Sequence, residues 1–275
     1  MGRSGQVDLD GDPPGSGDGR PWWLSAEDLR VLHRGGYYRG NCVIAAAGHV
    51  NHDQLLTVLE REGWFEGGTR EPPREAVTPA PAVRGASRVE DRDTTQTHIV
   101  FGTDTFPLRD PRRFSLAILT NVFGGGMSSR LFQRVREELG LAYAIFAYKH
   151  FYQGSGQLGV YVGTQPATAD RAMDAIRAEY ARLAREGLPM AELANGKQQL
   201  KGQVILSLES PAARMGRLAG FILHDDRYRP LDEMLSEIDG VTSEEIAAVA
   251  SEFFAPERQT VVRLGPNEKS VSGEQ

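Results

Sequence analysis

An arginine and a tyrosine seven positions apart, Arg136 and Tyr143, are the side chains of this sequence best suited to polar chemistry. A guanidinium and a phenol both donate hydrogen bonds, so the pair could hold a carbonyl oxygen and stabilise the oxyanion that grows on it. That role is electrostatic, not nucleophilic. Gly140 lies between them and can turn a helix end carrying Arg136 into a strand beginning at Tyr143, placing both on one cleft wall. Taken alone, the residues favour a plainer account, in which Arg136 pairs with Glu137 or Glu138 on a solvated helix and Tyr143 fills core. Gly124, Gly125 and Gly126 form a second candidate, because glycine-rich turns before a helix can cradle phosphate with backbone amides. No Gly-Lys-Ser/Thr follows them, so a simple helix stop is the competing account. The sequence has six histidines. The closest pair, His49 and His52, supplies two ligands where zinc takes three or four from protein, and it is not expected to bind metal. Cys42 is the only cysteine. It sits in the run Cys42-Val43-Ile44-Ala45-Ala46-Ala47 and reads as a small buried hydrophobe, consistent with a cytoplasmic setting.

The elements that must position these groups follow from the composition and its periodicities. The chain has 275 residues, is 40% hydrophobic and carries a formal net charge of −6. Nothing in that balance favours a nucleic-acid or anionic-membrane partner. No stretch has the apolar length of a membrane span. Residues 1–21, rich in Gly, Asp, Pro and Ser, read as a disordered tail. From 22 to 66 come a capping box at Ser25, a helix through Leu29 and Leu32, a strand from Asn41 to Gly48, and a helix capped by Asn51. This helix–strand–helix unit of roughly forty residues is less than an independent core requires, and reads as the end of a first domain. Residues 67–93 contain four prolines without periodicity and read as a connector.

A complete second domain is expected over 94–265, with a tail at 266–275. It begins with a strand from His98 to Thr103. An apolar helix follows Asp110-Pro111 and runs to Phe123, and a further helix starts at Ser128 or Ser129 with Leu131, Phe132, Val135 and Leu139 on one face. Strands Ala142–Phe151 and Gln157–Thr164 form a hairpin about Gln153-Gly154. A long helix, Ala169–Arg185, presents Ala172, Ile176, Tyr180 and Leu183 to the sheet. Helices opening at Pro189, Pro211 and Thr242 come next, the second carrying Met215, Leu218 and Ile222, and a strand from Thr260 to Leu264 closes the fold. Hairpin-paired strands with helices on one side give an α+β class with a mainly antiparallel sheet.

The run Gly124-Gly125-Gly126-Met127-Ser128-Ser129-Arg130-Leu131-Phe132-Gln133-x-x-Arg136-Glu137-x-x-Gly140-Leu141-Ala142-Tyr143 resembles the second-domain signature of the pitrilysin/insulinase family, in its mitochondrial processing peptidase-like branch. Upstream, Tyr38-x-x-x-Asn41-Cys42-Val43-Ile44-Ala45-Ala46-Ala47-Gly48-x-x-x-His52-Asp53 is similar to the closing strand and helix of that family's first domain. The resemblance covers most of the chain from about Trp22 to Gly265. It implies a zinc metalloendopeptidase fold in which an extended peptide binds between two homologous domains. The first of these holds zinc through an H-x-x-E-H motif. No histidine of this chain stands in such a motif, so the resemblance implies no metal ligand and no catalytic residue here, with zinc expected only in a complete family member. It does imply substrate binding and transition-state stabilisation for Arg136 and Tyr143, and a glycine loop, Gly124 to Gly126, whose flexibility helps admit substrate. The implied partners are a peptide or unfolded polypeptide and a zinc-bearing domain or subunit. Two functions stay open: the substrate-binding portion of a metalloendopeptidase, not catalytic alone, or a non-catalytic peptide-binding or assembly subunit of a zinc-bearing chain.

Overall fold

Strict alternation builds the central strand: from Thr97 to Thr105 every second residue is buried, because neighbouring side chains of a strand point to opposite faces. The computed structural model describes residues 25–66, 85–224 and 227–266. Two units result, one from Met1–Ile44 with His49–Arg74, the other from Ala45–Gly48 with Glu75–Gln275. The tail expected at 1–21 and most of the one expected at 266–275 lie outside the described residues, as does the connector up to residue 84.

In the first unit, α1 (Ala26–Gly36) opens on the expected capping box. Asp28 N–H donates to Ser25 Oγ, and Ser25 N–H donates to the Asp28 carboxylate at 2.9 Å. α2 (His52–Arg61) is capped by Asn51, whose side chain accepts from Gln54 N–H. Neither helix buries a residue, and Leu29 and Leu32 are exposed. The strand expected from Asn41 to Gly48 does not form. Strand stability comes from ladder bonds and cross-strand side-chain pairs, and no described segment pairs with this apolar run.

The second unit runs β1 (Ser87–Asp91), β2 (Thr97–Thr105), α3 (Arg113–Gly124), a π-helix (Phe132–Glu138), β3 (Ala144–Phe151), β4 (Gly156–Thr164), α4 (Ala169–Glu186), α5 (Met190–Ser207), α6 (Pro211–Leu223), α7 (Leu231–Gly240), α8 (Ser243–Phe253) and β5 (Thr260–Gly265). Its sheet has the order β1-β5-β2-β4-β3. All pairs are antiparallel except β1 with β5. This is the expected α+β class. The hairpin between β3 and β4 closes through Tyr152 N–H donating to Ser155 O at 2.8 Å.

The second unit departs from the expected elements at four places. The expected connector ends too late, because Ser87–Asp91 pairs in parallel with β5, Ser87 opposite Val261 and Asp91 opposite Gly265. The helix expected from Asp110 starts at Arg113, since the Asp110 carboxylate turns to accept from Arg112 N–H, Nε and Nη2 instead. The helix expected from Ser128 or Ser129 is mostly π-helical. A further helix, α7, follows a Pro230 N-cap and buries Ile238 alone.

The core lies between the sheet and the helices α3, α4 and α8. Phe101 of β2, Phe123 of α3, Tyr180 of α4 and Phe254 are fully buried and meet as a ring cluster, with Phe123 4.7 Å from Tyr180 and 5.2 Å from Phe254 in edge-on geometry. The α4 face expected from periodicity, Ala172, Ile176, Tyr180 and Leu183, is the buried one. Burial pushes the Tyr180 phenol well above its ordinary pKa, and its hydroxyl has no hydrogen-bond partner. An unpaired buried hydroxyl costs about 1–3 kcal/mol, whereas a phenylalanine ring keeps the same packing. Tyr180→Phe is therefore expected to raise the midpoint of urea unfolding by roughly 1 kcal/mol in stability with an unchanged m-value. A lower midpoint would show that the hydroxyl is satisfied in solution.

Candidate functional site

α3 ends against β3 because Gly124 has no side chain. A Cβ there would stand 2.6 Å from Ala147 N and 2.7 Å from Ala147 Cβ, closer than real contacts allow. Gly125 N–H donates to Asn121 O at 2.9 Å and closes the helix, and a Cβ at Gly125 would stand 2.6 Å from Asn121 Cα. At Gly126 the space is open, the nearest atom being Gln199 Nε2 at 3.8 Å. The Gly126 carbonyl accepts from both Ser129 N–H and Ser129 Oγ, at 3.0 and 2.6 Å, and starts the next turn. Gly124 and Gly125 are thus explained by close packing, and nothing in these bonds resembles a ring of amides turned toward an anion.

The chain then winds through the π-helix that carries Arg136. π-Turns bond i to i+5, are rare, and occur frequently at functional sites. Leu139 N–H donates to Arg134 O at 3.2 Å, and Leu141 N–H reaches back to Val135 O at 2.9 Å, so the segment ends in a wide turn. Gly140 stands in that turn with φ +61°, a left-handed conformation that glycine adopts without steric cost. Leu131 and Val135, four positions apart, anchor the segment in the core.

Arg136 is 44% exposed at its side chain. Its guanidinium lies over the Phe132 ring at 4.8 Å from the centroid, and Glu137 is no nearer than 3.9 Å. Glu138 is engaged elsewhere, with Arg134 at 2.6 Å. Arg136 is thus held by an aromatic face, with the rim of the guanidinium left available to donate. Tyr143 is 51% exposed. Its N–H donates to Gly163 O at 2.9 Å and fixes the residue beside β4, while its hydroxyl accepts from Gln165 Nε2 at 2.7 Å. A phenol that accepts from an amide still has its own proton to give. The account of Tyr143 as core is therefore wrong. No hydrogen bond, ion pair or ring contact joins Arg136 to Tyr143: they flank one turn as two separate exposed donors.

The sheet face opposite the helices carries a row of rings that sequence reading did not pick out. Tyr161 accepts or donates to His98 Nδ1 at 2.8 Å and lies 5.1 Å from Phe146, whose neighbours along β3 are Tyr148 and His150. Alternation of aromatic residues at 146, 148, 150 and 152 was the signal available for it. His49 and His52 join no cluster: among the described residues no group of three or more His, Cys, Asp or Glu side chains could hold a metal ion. Among them, too, no helix is long and apolar enough to cross a membrane.

A profile of the family described as peptidase M16 inactive domain matches residues 24–200. The chain is 33% identical over 248 residues to an uncharacterized zinc protease of Streptomyces coelicolor, an alignment covering 88% of this chain and 54% of that protein. It is 34% identical over 262 residues to an uncharacterized zinc protease of Mycobacterium tuberculosis, covering 90% of this chain and 59% of that protein. The chain thus spans little more than half the length of these curated relatives. In fold, it matches the crystal structure of a peptidase M16 inactive domain from Pseudomonas fluorescens with a TM-score of 0.77 at 20% identity, over 89% of this chain and 58% of that one. A protease structure from Helicobacter pylori gives 0.74 at 22% identity, over 88% and 60%.

Proposed function

This chain belongs to the peptidase M16 family as its inactive domain, and on that premise we propose that it is the substrate-binding portion of a metalloendopeptidase, not catalytic alone. The observation that carries the proposal is the pair of half-exposed donors flanking the Gly140 turn, Arg136 and Tyr143. Each would donate to a carbonyl oxygen of an extended peptide and hold it more tightly as negative charge grows there. The relatives' names include zinc, and zinc would supply the attacking oxygen's activation in a complete family member. The described residues of this chain do not fit that ion, since they bring no three ligands together. The chemistry assigned to this chain is therefore binding and orientation, with zinc on a partner domain or subunit.

A second reading is a peptide-binding or assembly subunit. It draws support from α6, which buries no residue and leaves Met215, Leu218 and Ile222 exposed. The two readings separate in one experiment. The purified chain is expected to bind negligible zinc and cleave no peptide, and to give cleavage when mixed with a zinc-bearing M16 domain. Cleavage by the chain alone, with stoichiometric zinc and loss on chelation, would overturn both readings. A stable complex without cleavage would favour the assembly subunit.

A further inference from the structure

On the helix side of the second unit, a cleft of about 550 Å³ opens between the end of α3, the π-helix, α4 and α5. Its walls carry balanced charge: Arg130, Arg134 and Arg182 against Glu138, Glu179 and Glu192. Two of these are almost entirely buried, Arg130 at 9% and Glu179 at 8% side-chain exposure. Arg130 donates Nε–H to one Glu192 oxygen at 2.8 Å, its Nη2 lies 2.7 Å from the same oxygen, and its Nη1 is buried without a partner. Glu179 has Arg182 Nη2 3.1 Å away, yet out of hydrogen-bond alignment, so its Oε2 is also unsatisfied. Burying charged groups with bonds unmade is unfavourable, and native proteins rarely leave such groups so without a use.

We infer that this cleft binds a short zwitterionic peptide, of two or three residues with free termini. A ligand carboxylate would satisfy the arginines and draw Arg182 into line, and a ligand ammonium would be shared by Glu179 and Glu138. The carboxamides of Asn195 and Gln199 lie along the same walls and suit the peptide bond between the two ends. The balance of three cations and three anions disfavours a ligand of net charge, because either end left unpaired would leave a wall charge desolvated.

The site is distinct from the Arg136 and Tyr143 pair. Arg136 does not line the cleft, whereas Arg134 and Glu138 do. With roughly four and a half residues in each i to i+5 turn, positions two apart point to nearly opposite sides. One short helix therefore presents different faces to the two sites.

The test titrates the full chain, without any partner, with Ala-Ala, N-acetyl-Ala-Ala and Ala-Ala-amide, followed by calorimetry and amide chemical shifts. Ala-Ala is expected to bind, with shifts centred on the π-helix, α4 and α5, and each capped form to bind at least tenfold more weakly. Arg182→Lys, which keeps a cation beside the buried Glu179 carboxylate but loses the planar fork that suits a ligand carboxylate, is expected to weaken Ala-Ala at least fivefold. Arg171→Ala, at an exposed residue of α4 outside the cleft lining, is expected to leave binding unchanged. Equal binding of the three probes, no binding at millimolar concentration, or loss of binding in Arg171→Ala would each overturn the inference.

Discussion

Arg136→Ala, in an assembly of this chain with a zinc-bearing M16 domain, is expected to lower kcat for peptide cleavage roughly 10²–10³-fold, the equivalent of about 3–4 kcal/mol of transition-state stabilisation. The reasoning rests on where the guanidinium stands. It is half exposed and rests on the Phe132 ring, and the Glu137 carboxylate stands 3.9 Å away, too far for a hydrogen bond. Its donors are therefore free to meet an oxygen whose charge rises during the reaction. Fold loss is not expected to confuse the result, because removing a half-exposed side chain with one ring contact changes stability by about 1 kcal/mol or less. Tyr143→Phe removes one hydroxyl and the bond from Gln165, with an expected loss of roughly tenfold or more in kcat. Steady-state kinetics beside thermal melts of each variant would check both. Turnover within twofold of the parent in both variants would mean that neither residue holds substrate.

Gly124→Ala is expected to destabilise the second unit by about 3 kcal/mol, while Gly126→Ala changes stability by less than about 0.5 kcal/mol. The contrast follows from one close approach. At Gly124 the added methyl meets the Ala147 backbone at 2.6 Å, and neither α3 nor β3 can retreat without opening the core around Phe123. At Gly126 the methyl meets only the end of the Gln199 side chain at 3.8 Å. Urea unfolding of both variants would separate the alternatives. Equal effects would show that the three glycines act together as a flexible loop rather than as two contact points and a spacer.

Much of this fold is legible in the sequence, because long elements repeat their signal. The eighteen residues of α4 show the buried face as Ala172, Ile176, Tyr180 and Leu183, and Gly187 marks its end with φ +63°. Caps at Ser25, Asn51, Ser210 and Thr242 stand where short polar side chains precede apolar periodicity. The π-helix is hidden, since Leu131 and Val135 are four apart and satisfy an α-helix equally well. β1 is hidden for another reason: Ser-Arg-Val-Glu-Asp has one apolar residue, and only its parallel pairing with β5 makes it a strand. The run from Cys42 to Ala47 errs in the opposite sense, having strand composition and no ladder. α6 shows that periodicity reveals an apolar face without saying whether anything covers it.

The signature around Arg136 and Tyr143 singles both residues out in the sequence, while the exposure of Tyr143, which excludes a core ring, is visible only in the fold. The charged cleft gave no local signal. Arg130 meets Glu192 across 62 positions, and Glu179 joins them only when the fold brings α4 and α5 to the walls of one cleft.

The order β1-β5-β2-β4-β3 puts the last strand made into a slot between the first two. On the ribosome, β2, β3 and β4 can pair as soon as they emerge, but β1 has no neighbour until residue 265 is out of the exit tunnel. During synthesis the edge of β2 that β5 will cover stays bare, and the charges of Ser87–Asp91 keep their own segment in water meanwhile. Completion of the sheet is thus a late, long-range closure that waits on translation, and any cut that removes β5 takes the pairing of β1 with it.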